Sequence, residues 1–192
     1  MVTHSYTTVT ATAPLVSLAA SKKQLNIEQD FTVQDDMITE YSEAAQVACE
    51  DYINRGISER KLVMELSVFE STVTYARNYE NDTIEKVEYY ASGETTLTLL
   101  PVEQYLLRKS NIIECFDIKF KPAVGQTAMP STDMRDDAVI ITVKQGFELS
   151  KCPKPILQAI KLRIADLYER REDREQGNSP ASNNLLRPYR KY

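Results

Sequence analysis

The spacing of apolar residues changes period twice along the chain, and each change marks a boundary. Residues 1–14, rich in Thr, Ser and Ala and closed by Pro14, show no period and read as a flexible N-terminal arm, or one ordered by a partner. Ser17 offers a side-chain acceptor to free backbone N–H groups, which predicts a short helix through Leu18, Ala19, Ala20, Lys22 and Leu25 ending near Asn26. Thr32 with Asp35 fits a capping pair, and Asp35-Asp36 put negative charge at the positive end of a helix dipole. A long helix over about 33–55 follows, because Ile38, Tyr41, Ala45, Ala48 and Tyr52 recur every three or four residues, and Gly56 supplies a left-handed stop after Arg55. Glu40, Glu43, Glu50 and Asp51 occupy mostly the opposite face.

From about 61 to 147 the period becomes two. Leu62, Met64, Leu66 and Val68 mark one strand face and Val87, Tyr89 and Ala91 another, with Ser92-Gly93 turning into 95–100. Two β-branched runs, 112–120 and 138–143, flank the Pro/Gly/Thr/Ser-rich loop 122–133. An isolated hairpin is marginal in water, so these strands must share a face, and the long helix is the expected cover. After Gly146 the period returns to helical: Pro153 and Pro155 suit a first turn, and Ile156, Leu157, Ile160, Ile164, Leu167 and Tyr168 form a stripe in a helix over about 154–175. The fold class expected is therefore α+β, a helical core with an antiparallel β region inserted at 61–147.

The last helix ends in a mixed-charge run. Glu169, Arg170, Arg171, Asp173 and Arg174, with Glu43 and Glu50 of the long helix, are candidates for contact between subunits, although a solvated face is the commoner meaning of such a run. Gly177 to Asn184 is a linker by composition. Beyond it Leu185, Leu186, Arg187, Pro188, Tyr189 and Arg190 combine apolar, aromatic and basic side chains that a tethered segment has to bury on a partner, with Tyr189 and Arg187 the expected anchors. The chain thus divides into an arm (1–14), a main domain (15–175) and a linker with a tail (176–192).

Charge sharpens this division. Of 23 basic and 28 acidic residues, 13 and 23 fall in residues 1–150, net −10, while 10 and 5 fall in residues 151–192, net +5. An acidic body argues against a protein that coats nucleic acid. The catalytic vocabulary is poor: the single histidine, His4, lies in the arm, and only five glycines exist to build a phosphate cradle, none in a GxxxxGK[ST], GxGxxG or GxSxG motif. Cys49, Cys115 and Cys152 are odd in number and lack metal spacing, so they read as reduced thiols, and no cofactor or metal is expected. Asp35-Asp36 and Asp136-Asp137 would suit a metal-dependent nuclease only if they converged, which adjacent residues do not. Asn81-Asp82-Thr83 matches a glycosylation acceptor only formally, and no signal peptide or membrane span is expected.

The order of features resembles the head-to-tail connector, or adaptor, proteins of tailed bacteriophages. The matching pieces are Val16-Ser17-Leu18 through Leu25, Asp35-Asp36 leading to Tyr52-Ile53-Asn54-Arg55-Gly56, and 84–90 with Gly93 and Tyr105. They continue with Val143 to Gly146-Phe147, Pro155, Ala159-Ile160, 165–172 and the ending 185–190, and cover roughly residues 15–190. Two stretches depart from the pattern: 69–82 lacks an apolar-proline strand pair, and the loop 121–137 is long and lacks an aromatic-proline. The resemblance implies a non-enzymatic homo-oligomeric ring, of twelve copies, in the virion neck. It implies further that residues 185–190 bind the portal, that the β region meets the next neck or tail-completion protein, and that double-stranded DNA passes through the lumen without specific binding. Assembly in the host cytoplasm, without a membrane, goes with it. A tail-completion or tail-terminator protein on the tail tube is the alternative.

Overall fold

The computed structural model describes residues 5–10, 14–76, 78, 81–112, 114–170 and 180–191. They form two compact units, one built from the start of the chain and residues 59–146, the other from 12–58 and 147–192. The fold is α+β, with the β region inserted between helices as expected.

The helical unit contains α1 (Leu18–Gln24), α2 (Asp35–Ile53), α3 (Lys154–Glu169) and α4 (Pro180–Leu186). Ser17 caps α1, accepting a hydrogen bond from Ala20 N. The predicted capping pair at the start of α2 does not form: Gln34 is the cap residue and makes no side-chain bond, while Asp35 pairs with the buried Lys22 at 2.5 Å. That ion pair ties α1 to the first turn of α2, and a 2.9 Å bond between the buried Ser21 and Ser42 hydroxyls adds a second tie. At the other end of α2 the left-handed residue is Asn54 (φ 54, ψ 36) and not Gly56. Asn tolerates this conformation, and its side chain is held by a bond to Lys191 O. The core joins Ala45, Cys49 and Ile53 of α2 to Ile156, Ala159, Ile160 and Ile164 of α3, with Leu15, Val16, Ile57, Cys152 and Leu186 around them.

The β unit has two antiparallel sheets. The first runs β1 (Ser5–Thr10), β2 (Arg60–Leu66), β8 (Val139–Gln145), β4 (Thr83–Tyr90), β5 (Leu97–Leu99); the second runs β3 (Thr72–Ala76), β7 (Cys115–Phe120), β6 (Tyr105–Lys109). Alternation sends Leu62, Met64, Leu66, Val87, Val139, Ile141 and Val143 to the inner face of the first sheet. Val73, Tyr75, Tyr105, Phe116, Ile118 and Phe120 answer from the second sheet, and Phe69 stacks edge-on to Tyr89 and Phe120. The cover expected from the long helix is thus supplied by the second sheet, while the buried side of α2 serves the helical core.

Two further expectations change. Part of the flexible arm is a strand: residues 5–10 pair antiparallel with β2, Ser5 opposite Glu65 and Thr10 opposite Arg60. The Ser-Tyr-Thr-Thr-Val-Thr run has no period, but its Thr, Val and Tyr residues carry β propensity enough to use an open sheet edge. Residues 180–184, taken as linker, start α4. Asn81, exposed, donates to Gly146 O at 2.7 Å, and the neighbouring, buried Asp82 accepts from Gln145 at 2.9 Å.

Ile141 is fully buried on β8 and opens its run of three buried residues, 141–143. Ile141→Ala should cost roughly 2–5 kcal/mol of stability by leaving a cavity between the sheets, read as a lowered urea midpoint with an unchanged slope.

Candidate functional site

The residues singled out in the sequence separate into three groups. The first is the tail. Ala45, Cys49 and Ile53 of α2 and Ala159 and Ile160 of α3 belong to one buried cluster, and Leu186, fully buried, is part of it. Leu185 and Tyr189 pack on the same core, half-buried. The apolar half of the tail therefore finds its surface within its own chain, which corrects the expectation of a segment that needs a partner to be buried. Polar bonds fix it there: Arg163 donates from Nε to Ser182 Oγ at 3.1 Å and from Nη2 to Asn183 Oδ1 at 2.9 Å, and Ser182 Oγ donates to Ala159 O at 3.3 Å. Lys191 N closes on Ile53 O at 2.8 Å. The guanidinium of Arg190 lies 5.2 Å from the centre of the Tyr52 ring, within cation–π range. Arg187, Pro188 and Arg190 remain exposed.

Composition had concealed this arrangement. Ser182 and Asn183 are ordinary linker residues until Arg163, a cation inside an apolar helix, offers them donors. An arginine flanked by Leu162 and Ile164 was the available signal.

The charged helix faces form the second group. Glu43 is exposed on α2 in line with Asp36, Glu40 and Asp51, and the exposed Val47 lies among them. Glu169 and Arg170 are exposed at the end of α3, Arg170 pairing with Asp166 at 3.3 Å. Arg171, Asp173 and Arg174 lie outside the described residues. Glu50 does something else. Its Oε1 accepts from the backbone N–H groups of Ile57 and Ser58 at 2.8 and 3.2 Å, so it closes the turn after α2 within the subunit. A contact with a neighbouring subunit would have to share that carboxylate.

The long loop 121–138 is the third group. A bridge between Ala91 and Thr132, and bonds from Ser92 N to Ser131 O and from Asp133 N to Tyr90 O, hold it to the β4–β5 hairpin. Arg135 lies 3.8 Å from the Tyr90 ring centre and donates twice to Asp137, at 2.5 and 2.8 Å. That guanidinium holds the Asp137 carboxyl below the usual carboxylate range. Gly125, at φ +86, makes the turn at one end, and Val124 and Met134 project fully into solvent. Among the described residues no three His, Cys, Asp or Glu side chains converge as a metal site, and no helix is long and apolar enough to cross a membrane.

Solved structures share this architecture over the whole chain. A chain in the neck of an empty gene transfer agent particle, computed with C6 symmetry, superimposes with a TM-score of 0.66 at 18% identity, covering 98% of this chain and 96% of that one. The fold is that of a chain in a particle neck. A chain in the virion of the native gene transfer agent gives 0.65 at 19% identity over 97% and 95%, and one in the native particle's neck, computed with C12 symmetry, gives 0.64 at 17% over 97% and 96%. By sequence, no family model and no curated protein matches.

Three outcomes follow. Glu50→Ala removes a charge-assisted acceptor from two backbone donors and should cost about 1.5–3 kcal/mol, measured by denaturant unfolding. Burial pushes the Cys49 thiol up to about 11, against the opposing pull of Arg163, and Cys152 up to about 12, from an ordinary 9.0. At pH 8 both stay protonated, and a disulfide reagent should modify the half-buried Cys115 first, with deletion of residues 180–192 making Cys49 reactive. Because these thiol pKa values are raised by folding, their contribution is complete below pH 9.0 and is lost as pH rises through about 11 and 12, so the unfolding temperature should fall there.

Proposed function

We propose that the protein is a structural, non-enzymatic component of the neck of a tailed phage or phage-like particle. It forms a ring, of twelve copies, between the portal and the next neck or tail component, and the ring surrounds the path of the DNA. The observation that carries this reading is the fold match over nearly the whole chain to chains in gene transfer agent particles whose necks were computed with C6 and C12 symmetry. The charge distribution supports it: a net −10 body suits a channel that double-stranded DNA must cross without sticking.

Within such a ring each subunit uses two different patches. The acidic face of α2, with Glu43, is matched to the end of α3 in the next copy, where Glu169 and Arg170 lie and after which Arg171, Asp173 and Arg174 follow in sequence. The portal is met by the C-terminal segment, with Arg187, Pro188 and Arg190 as its outward face and Leu185, Leu186 and Tyr189 as the apolar residues behind them. Each such contact is modest, and repetition around a ring raises the whole by effective concentration. The loop 121–138, with Val124 and Met134 at its surface, is the contact offered to the next neck protein. Assembly takes place in the host cytoplasm, on filled heads.

Purified portal should bind the wild-type chain, and Arg187→Glu/Arg190→Glu should weaken that binding by about tenfold or more, on the scale of lost interface hot spots. Binding to isolated tail tubes but not to portal would replace this reading with a tail-terminator role.

A further inference from the structure

The first sheet of the β unit is open, and its two edges have an unusual composition. Edge strands ordinarily carry charge or proline to discourage pairing between molecules. Here the inner strands carry the charge: Arg60, Lys61 and Glu65 on β2, Glu85, Lys86 and Glu88 on β4, Lys144 on β8. The edges carry none. β1 is Ser-Tyr-Thr-Thr-Val-Thr and lies in a charge-free run from 5 to 21, while β5 lies in a charge-free run from 95 to 102 in a chain that is 27% charged.

β5 is also fully open. Residues 92–99 are all exposed, and Leu97, Leu99, Val102 and Leu106 bring four large exposed hydrophobics into ten residues. Leu100 N donates inward to Val87 O at 2.8 Å, so by the alternation of an antiparallel ladder Leu97 and Leu99 turn their backbone N–H and C=O groups to the free side. Their register opposite Tyr90 and Glu88 puts both leucines on the outer face of the sheet, away from the buried Val87. A charge-free, β-prone, leucine-bearing edge is an aggregation hazard unless something covers it.

We propose that β5 of one copy pairs edge to edge with β1 of the next, so that the sheet continues across the subunit boundary. This rests on the ring reading above. A second copy is the occupant that the chain itself supports, because the two edges are alike in chemistry, different in identity and on opposite sides of one sheet. Pairing unlike edges gives a heterologous contact that repeats around a ring, whereas β5 pairing with β5 would stop at a dimer. Among the described residues nothing pairs with the outer side of either strand.

The test uses the full chain, in concentrated solution and on purified portal. Leu97→Lys/Leu99→Lys adds two charges to the edge, and Leu99→Pro removes one outward donor; both should abolish the higher oligomer in native mass spectrometry while circular dichroism stays that of the wild type. Hydrogen exchange supplies a readout that needs no variant: on assembly, amides of both 5–10 and 97–99 should become protected. Rings that form equally well from the variants, or protection of only one of the two segments, overturn the edge pairing and leave the ring reading standing. A wild-type chain that never assembles, alone or on portal, overturns both.

Discussion

The chain passes between the two units three times, once near its start and again after residues 58 and 146, and one carboxylate secures the helical side of the last two crossings. α2 ends, the chain turns through Gly56, and residues 59–146 depart as the β unit before the chain returns at Phe147. Glu50 reaches from the last turns of α2 to the N–H groups of Ile57 and Ser58, and Phe147 N donates to Ile57 O at 2.9 Å, with Ser58 and Phe147 bridged in parallel. The departing and returning strands of chain are thereby pinned together. A long insertion closed in this way costs little more loop entropy than a short one, which is why an entire β sandwich fits between two helices of a small bundle.

Much of this was legible wherever period and burial agree. α2 and α3 each bury one face: Ile156, Ile160 and Ile164 of the expected α3 stripe are buried, whereas on α2 only Ile38 and Ala45 of the expected stripe are, the face being turned toward Ser42, Cys49 and Ile53 with Tyr41, Ala48 and Tyr52 half-buried at its side. β8 reads clearly because it is central and paired with a strand on each side. β3 and β6 did not: Thr-Val-Thr-Tyr-Ala and Tyr-Leu-Leu-Arg-Lys are edge strands of a three-stranded sheet, half-exposed and short, and their alternation is diluted by polar neighbours. Without them the second sheet was invisible, and the long helix stood in for it.

The candidate surfaces were legible in composition more than in placement. Glu43 and Glu50 looked equivalent on a helical wheel, two turns apart, yet one faces solvent and the other satisfies a turn. Asn54 took the left-handed position that Gly56 had been expected to hold, because the residue that needs φ > 0 is decided by where the last helical hydrogen bond falls. The tail illustrates the same limit. Its leucines demanded burial, and only three dimensions reveal that α2 and α3 leave room for them.

The bond from Lys191 N to the carbonyl of Ile53 ties the segment after α4 to the end of α2, more than a hundred residues earlier. On a ribosome adding residues one at a time, strands β2 to β8 are all available long before that bond can form. The β sandwich can therefore be complete while the helical unit still waits for its last dozen residues. Closure of the helical unit thus waits on residues 180–191, and a chain broken off before them leaves the apolar seat of Leu186 uncovered.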